Sequence, residues 1–119
     1  MAKYKFIVFS KPVVGKEEEY NDWYQNRHLG EVVQTPGFVA AQRFSLAHDL
    51  MGDGSAYPYM AIYDIEADHW SQPFAALQDS AGDGGGMFMS DAIDLSTVKA
   101  NVYEVFGEDR KSTRLNSSH

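Results

Sequence analysis

The pattern of apolar and polar positions divides the chain into six segments of helical or strand period, and each marks an element. "KYKFIVF", Lys3 to Phe9, is rich in β-branched and aromatic residues and halts at Lys11 and Pro12, which predicts a strand. After Gly15 comes "KEEEYNDWYQNRH". Its three consecutive glutamates suit the positive end of a helix dipole, and Tyr20, Trp23 and Tyr24 form an i, i+3, i+4 stripe, so a first helix is predicted. "TPGF", Thr35 to Phe38, signals a turn, and "FVAAQRFSLA" a second strand. The Gly- and Asp-rich "HDLMGDGSAYP" reads as a loop, and "YPYMAIYDI", Tyr57 to Ile65, as a third strand. Asp68 is placed to cap a second helix, "HWSQPFAALQDS", with Trp70, Phe74 and Leu77 on one face and Pro73 early enough to be tolerated. "AGDGGG" then ends the helix in a flexible loop able to act as a lid. "MFMSDAIDLS" reads as irregular, and "TVKANVYEVF" as the fourth strand.

The order β-α-β-β-α-β predicts an α+β, ferredoxin-like fold with one antiparallel four-stranded sheet. Helices on one side of that sheet leave its other face open. A sheet wetted on one side alternates apolar with polar, yet Tyr4, Phe6 and Val8 alternate with Lys5, Ile7 and Phe9, and Tyr59, Ala61 and Tyr63 with Met60 and Ile62. Both faces therefore ask for cover. The simplest cover is a second copy of the sheet, so a symmetric homodimer is expected.

With 119 residues, one domain and one core are expected. Seven Tyr, seven Phe and two Trp supply more ring surface than a core this small needs, which favours a ring-lined pocket or an apolar interface. The absence of cysteine excludes disulfides, thiolate nucleophiles and Cys-ligated zinc. A formal charge of −7, with no Lys/Arg cluster in the first hundred residues, argues against a nucleic-acid partner. The N-terminal apolar run, Phe6 to Phe9, is too short for a signal sequence or a membrane span, so a cytoplasmic location without membrane contact is expected.

Residues 109–119, "DRKSTRLNSSH", break this character, being polar and without period. They resemble, letter for letter, the translation of a widely used sequencing-library adapter. Residues 1–108 are therefore taken as the domain, with a disordered artefactual tail behind them in a gene assembled from environmental reads.

"KPVVGKEEEYNDWYQNRHLGEVVQTPGFVAAQRF", Lys11 to Phe44, resembles the small EthD-like branch of the dimeric α+β barrel superfamily. The resemblance implies a homodimer with a pocket in each subunit between sheet and helices, and it matches Trp23 and His28 to a motif that relatives carry near that pocket. Those relatives span cofactor-free cyclases, isomerases, dehydratases, decarboxylases and monooxygenases, so reaction type is left open. Where they often have proline after "HL", this chain has Gly30, implying a looser exit from the first helix.

Among candidate groups, His28 reads either as a general acid/base beside the aromatic stripe or as a histidine capping the helix C-terminus. Arg43, in an apolar strand, could hold a substrate carboxylate or enolate, or pair with Asp64, Glu104 or the second subunit. Tyr4, Tyr59, Tyr63 and Tyr103 are candidate donors to a developing oxyanion, with Tyr63 and Tyr24 placed nearest His28. His48 and His69 form no metal-ligand spacing, Gly82 to Gly86 lacks the lysine of a phosphate loop, and no serine sits in a strand-to-helix elbow. A homodimer binding a small aromatic or polyketide-like molecule, without metal or cofactor, is the expected protein. In it His28, Tyr24 and Tyr63 would be catalytic, and Trp23, Arg43, Tyr59 and Phe6 would bind the substrate. A non-catalytic ligand-binding or stress-associated barrel and a cofactor-independent quinol or anthrone monooxygenase stand as alternatives.

Overall fold

A computed structural model describes residues 1–81 and 87–114. Its elements are β1 (Ala2–Pro12), α1 (Glu17–Trp23), a π-helical turn (Tyr24–His28), α2 (Leu29–Val33), β2 (Phe38–Ser45), β3 (Tyr59–Ala67), α3 (Ser71–Ala81) and β4 (Ile93–Glu104). The four strands form one antiparallel sheet in the order β2-β3-β1-β4, the α+β, ferredoxin-like arrangement expected from the pattern. The glycine-rich loop expected at Gly82 to Gly86 lies outside the described residues.

Strand alternation decides what the helices cover. Tyr4, Val8 and Ser10 of β1 and Ala61, Tyr63 and Ile65 of β3 are buried on the helix side. There they meet Tyr20, Trp23, Tyr24, Leu29 and Val32 from the first helical segment and Phe74 and Leu77 from α3. A polar pair buried deep in this layer is satisfied internally, Ser10 Oγ and Tyr20 Oη lying 2.6 Å apart. On the opposite face Ile7, Phe9, Met60 and Ile62 are only partly buried and Phe44 is exposed, while the cross-strand pair Lys5 and Asp64 closes a 2.6 Å ion pair beside them.

Most strand ends shift by two or three residues from the sequence reading, and two boundaries differ for a visible reason. β4 begins at Ile93 instead of Thr97, because a bulge interrupts its ladder: Phe9 faces Lys99, but Lys11 already faces Asp94. The Thr97 hydroxyl bridges the gap, accepting from the Lys11 N–H at 3.1 Å and donating to the Asp94 carbonyl at 2.6 Å. The start of α3 is also organised differently. His69 closes that turn in place of Asp68, its carbonyl accepting from the Gln72 N–H and its Nδ1 from the Ser71 N–H, each at 3.2 Å. β4 ends at Glu104, and residues 105–114 are exposed, without helix or strand.

Candidate functional site

The first helical segment shows why His28 is where it is. A stripe of Tyr20, Trp23 and Tyr24 continued at regular α-helical spacing would next bury Arg27, His28 and Glu31. The apolar residues actually available are Leu29 and Val32, one position late. The π-helical turn Tyr24–His28 absorbs that extra residue, with the Leu29 N–H donating to the Tyr24 carbonyl, so the buried stripe resumes at Leu29 and Val32. His28 is thereby brought over Trp23, the two rings stacked at 4.6 Å, and edge-on to Tyr24 at 5.2 Å.

Two expectations are corrected here. The helix does not loosen at Gly30 but runs through it to Val33, the Gln34 N–H donating to the Gly30 carbonyl. His28 therefore sits mid-segment, where backbone carbonyls are already engaged, and it caps no helix terminus.

Beside His28 a cavity of about 240 Å³ lies between the sheet and the helices. Phe6, Val8, Val32, Leu77, Ile93 and Val98 give it apolar walls, and Met87 and Met89 close it from the segment before β4. His28, Tyr24 and Tyr63 are its polar side chains. A wider groove of about 550 Å³, lined by Tyr4, Trp70, Phe74, Val102 and Glu104, shares Phe6 and Ala100 with the cavity. The groove is larger, but His28, Tyr24 and Tyr63, whose protonation burial perturbs strongly, line the cavity.

Burial pushes the His28 pKa down from 6.5 to about 4, against the pull of the Glu31 carboxylate. The ring is therefore neutral at pH 7 and able to accept a proton. Its Nδ1 is buried and has no hydrogen-bond partner, and Glu31 Oε1 is in the same position. The other oxygen, Oε2, receives only a 3.4 Å contact from Arg27 Nε. The Tyr63 hydroxyl donates to the Tyr24 hydroxyl at 3.4 Å. Burial raises the Tyr24 pKa to about 12 and that of Tyr63 further still, so both stay protonated donors.

The remaining expected site residues back this cavity without lining it, Phe6 excepted, which lines it and stacks on Tyr63 at 5.4 Å. Trp23 anchors the far side, its Nε1 donating to the Phe88 carbonyl at 3.0 Å. Arg43 has neither Asp64 nor Glu104 as partner, contrary to expectation: Asp64 binds Lys5 on the opposite face, and Glu104 lies on the far edge of the sheet. Instead Arg43 Nη2 donates to Asn21 Oδ1 at 2.7 Å. Its guanidinium lies over the rings of Tyr24, Tyr59 and Tyr20, at 4.7, 5.2 and 5.5 Å. The Tyr59 hydroxyl donates to Glu17 Oε2 at 2.5 Å and accepts from Asn21 Nδ2. Tyr4 lines the groove, and Tyr103 is exposed.

Sequence reasoning did not single out Glu31, or Met87, Met89 and Ile93, which sit in a segment read as irregular. The step of five from Tyr24 to Leu29 was the available signal for the π-helical turn, and so for which way His28 faces. Among the described residues no three His, Asp or Glu side chains form a metal-binding group, and no helix is long and apolar enough to cross a membrane.

No family model matches the chain, and no curated protein matches it. Among solved structures, a proposed monooxygenase from Shewanella loihica PV-4 superimposes with a TM-score of 0.59 at 16% identity, over 90% of this chain and 97% of that one. An ethyl tert-butyl ether D (EthD) family protein from Bacillus halodurans C-125 does so with a TM-score of 0.52 at 16% identity, over 92% of this chain and 100% of that one. At such identity the likeness is one of fold, and on that ground the chain has an EthD-like, ferredoxin-like α+β fold.

Proposed function

We propose that the protein is a homodimer whose subunits each bind a small aromatic or polyketide-like molecule and carry out cofactor-free acid/base chemistry on it. The observation behind this reading is the apolar cavity whose polar groups are one neutral histidine and two protonated tyrosines. At about 240 Å³ it falls just below the roughly 300–1,000 Å³ of drug-sized sites, which suits one or two rings. His28 takes a proton from a carbon flanked by carbonyls. Tyr24, which accepts from Tyr63, donates its own hydrogen to the oxygen on which enolate charge develops. Cyclisation, isomerisation, dehydration and decarboxylation all begin or end with such a step.

The test is exchange of the central C–H hydrogens of an aryl 1,3-diketone, 1-phenylbutane-1,3-dione, for solvent deuterium, followed by NMR. His28→Gln is expected to slow the enzyme-dependent exchange by about 10²-fold or more, and Tyr24→Phe by about 10²-fold. Exchange that is absent from the wild-type protein despite saturable binding would favour a non-catalytic binding barrel. A second reading draws on the likeness to the proposed monooxygenase, namely cofactor-independent oxidation of quinols or anthrones. Oxygen consumption with hydroquinone or anthrone, abolished in His28→Gln, would select it.

A further inference from the structure

The His28 Nδ1 and Glu31 Oε1 atoms are both buried and both without a hydrogen-bond partner, on residues placed i and i+3 along one helical segment. A buried polar atom left unpaired costs about 1–3 kcal/mol, so two complementary ones within one helical turn are an arrangement with a reason to persist. One is a ring nitrogen able to donate, and the other a carboxylate oxygen able only to accept. Residues so spaced share a helix face; the two side chains form no ion pair here, and joining them requires the Glu31 side chain to turn. The contact that holds Glu31 away is weak: Arg27 Nε reaches only Oε2, at 3.4 Å, and the Arg27 side chain is half exposed. Arg27 also lies over the Phe88 ring at 4.7 Å, an alternative seat for its charge once Glu31 turns.

We propose that Glu31 is a positioning residue for His28, accepting the Nδ1 proton in a hydrogen bond that fixes the ring tautomer and leaves Nε2 as the proton acceptor toward the cavity. This rests on the assignment of His28 as the base. When Nε2 gains a proton the ring becomes a cation with both nitrogens protonated, and the Nδ1–H to Glu31 hydrogen bond becomes an ion pair, stronger than in the resting state. Among the described residues no charged side chain lines the cavity, whose other polar groups are the neutral hydroxyls of Tyr24 and Tyr63. Glu31 also borders a second, more polar pocket of about 290 Å³, with Gln34, Thr35 and Ser80, on the other side of Met87. The carboxylate thus links the apolar cavity to a solvent-facing one.

The experiment reads the tautomer and needs no substrate. Long-range ¹H–¹⁵N NMR of the wild-type protein at pH 7 is expected to show His28 mainly with Nδ1 protonated. In Glu31→Gln the Nε2–H form is expected to gain at least several-fold in population, and Glu31→Asp is expected to restore part of the Nδ1–H form. Thermal melts establish that each protein is folded, and Arg27→Ala, which removes the competing contact together with the packing on Phe88, is expected to enrich the Nδ1–H form. A tautomer ratio that is the same in wild type, Glu31→Gln and Arg27→Ala would overturn the proposal. If the ratio shifts as expected while exchange on the diketone is absent, the positioning role stands and the catalytic assignment of His28 fails, so the two are separable.

Discussion

The rings of Trp23 and His28 stack at 4.6 Å with 27° between their planes, although the residues stand at i and i+5. In a regular α-helix such residues point about 140° apart, and only the π-helical turn between them makes the contact. Deleting the exposed Gln25 removes the extra residue and lets the segment close as a plain α-helix with Tyr20, Leu29 and Val32 still buried. The variant is expected to fold with unchanged helix content by circular dichroism and, with His28 then four residues after Trp23 and on the same helix face, to keep the ring in the stack and titrating near 4. An NMR titration centred near 6.5 in that variant would show that the turn does more than absorb the extra residue.

Two glycines predict opposite outcomes for the same substitution. Gly30 lies in α2, exposed, with nothing within 4 Å of where a Cβ would stand, so Gly30→Ala is expected to stabilise by about 0.5–1 kcal/mol. Gly37 has φ +97°, and its Cβ would fall 2.5 Å from Pro73 Cγ, on a proline that is fully buried. Gly37→Ala combines left-handed strain with a clash that the start of α3 must relieve, and is expected to cost about 2–4 kcal/mol. Urea unfolding midpoints measured side by side check both signs.

How far the chain could be read in advance follows from the range of each interaction. The strands and their order were legible because alternation and turn residues are local. The same locality made Tyr20, Trp23 and Tyr24 visible as a stripe. What was hidden depends on distant partners. Arg43 could be seen as needing company, but the three tyrosine rings around it come from one helical segment and β3. The start of β4 was missed because its bulge is bridged by a threonine side chain, and Glu31 was missed because it looked like one more surface carboxylate.

The histidine also makes a pH prediction. Its folded pKa of about 4 lies below the ordinary 6.5, so the unfolded chain takes up the proton first. The His28 contribution is therefore intact above about pH 6.5, is lost as pH falls from there toward 4, and declines no further below. The shift corresponds to about 2–3 kcal/mol at pH 4.5. Replacing His28 with Phe removes the titration while keeping a ring in the stack. The difference in unfolding free energy between pH 7.5 and pH 4.5 should shrink by that amount in His28→Phe. An equal pH dependence in the two proteins would contradict the buried, neutral histidine.

The open sheet face supplies a prediction about assembly. Ile7, Phe9, Met60 and Ile62 form an apolar centre there, with Phe44 exposed at one side and the Lys5–Asp64 pair at its edge. Two copies meeting across this face would bury the patch against itself, and a stable pair needs about 800 Å² from each. Each copy carries a formal charge of −7, so repulsion opposes association and salt should screen it. Sedimentation is thus expected to show a dimer that tightens as ionic strength rises. Ile62→Asp, which places a carboxylate in the centre of the patch, is expected to yield a folded monomer at micromolar concentration. A wild-type protein that stays monomeric at 100 µM in high salt would mean that the face is covered by something other than its own copy.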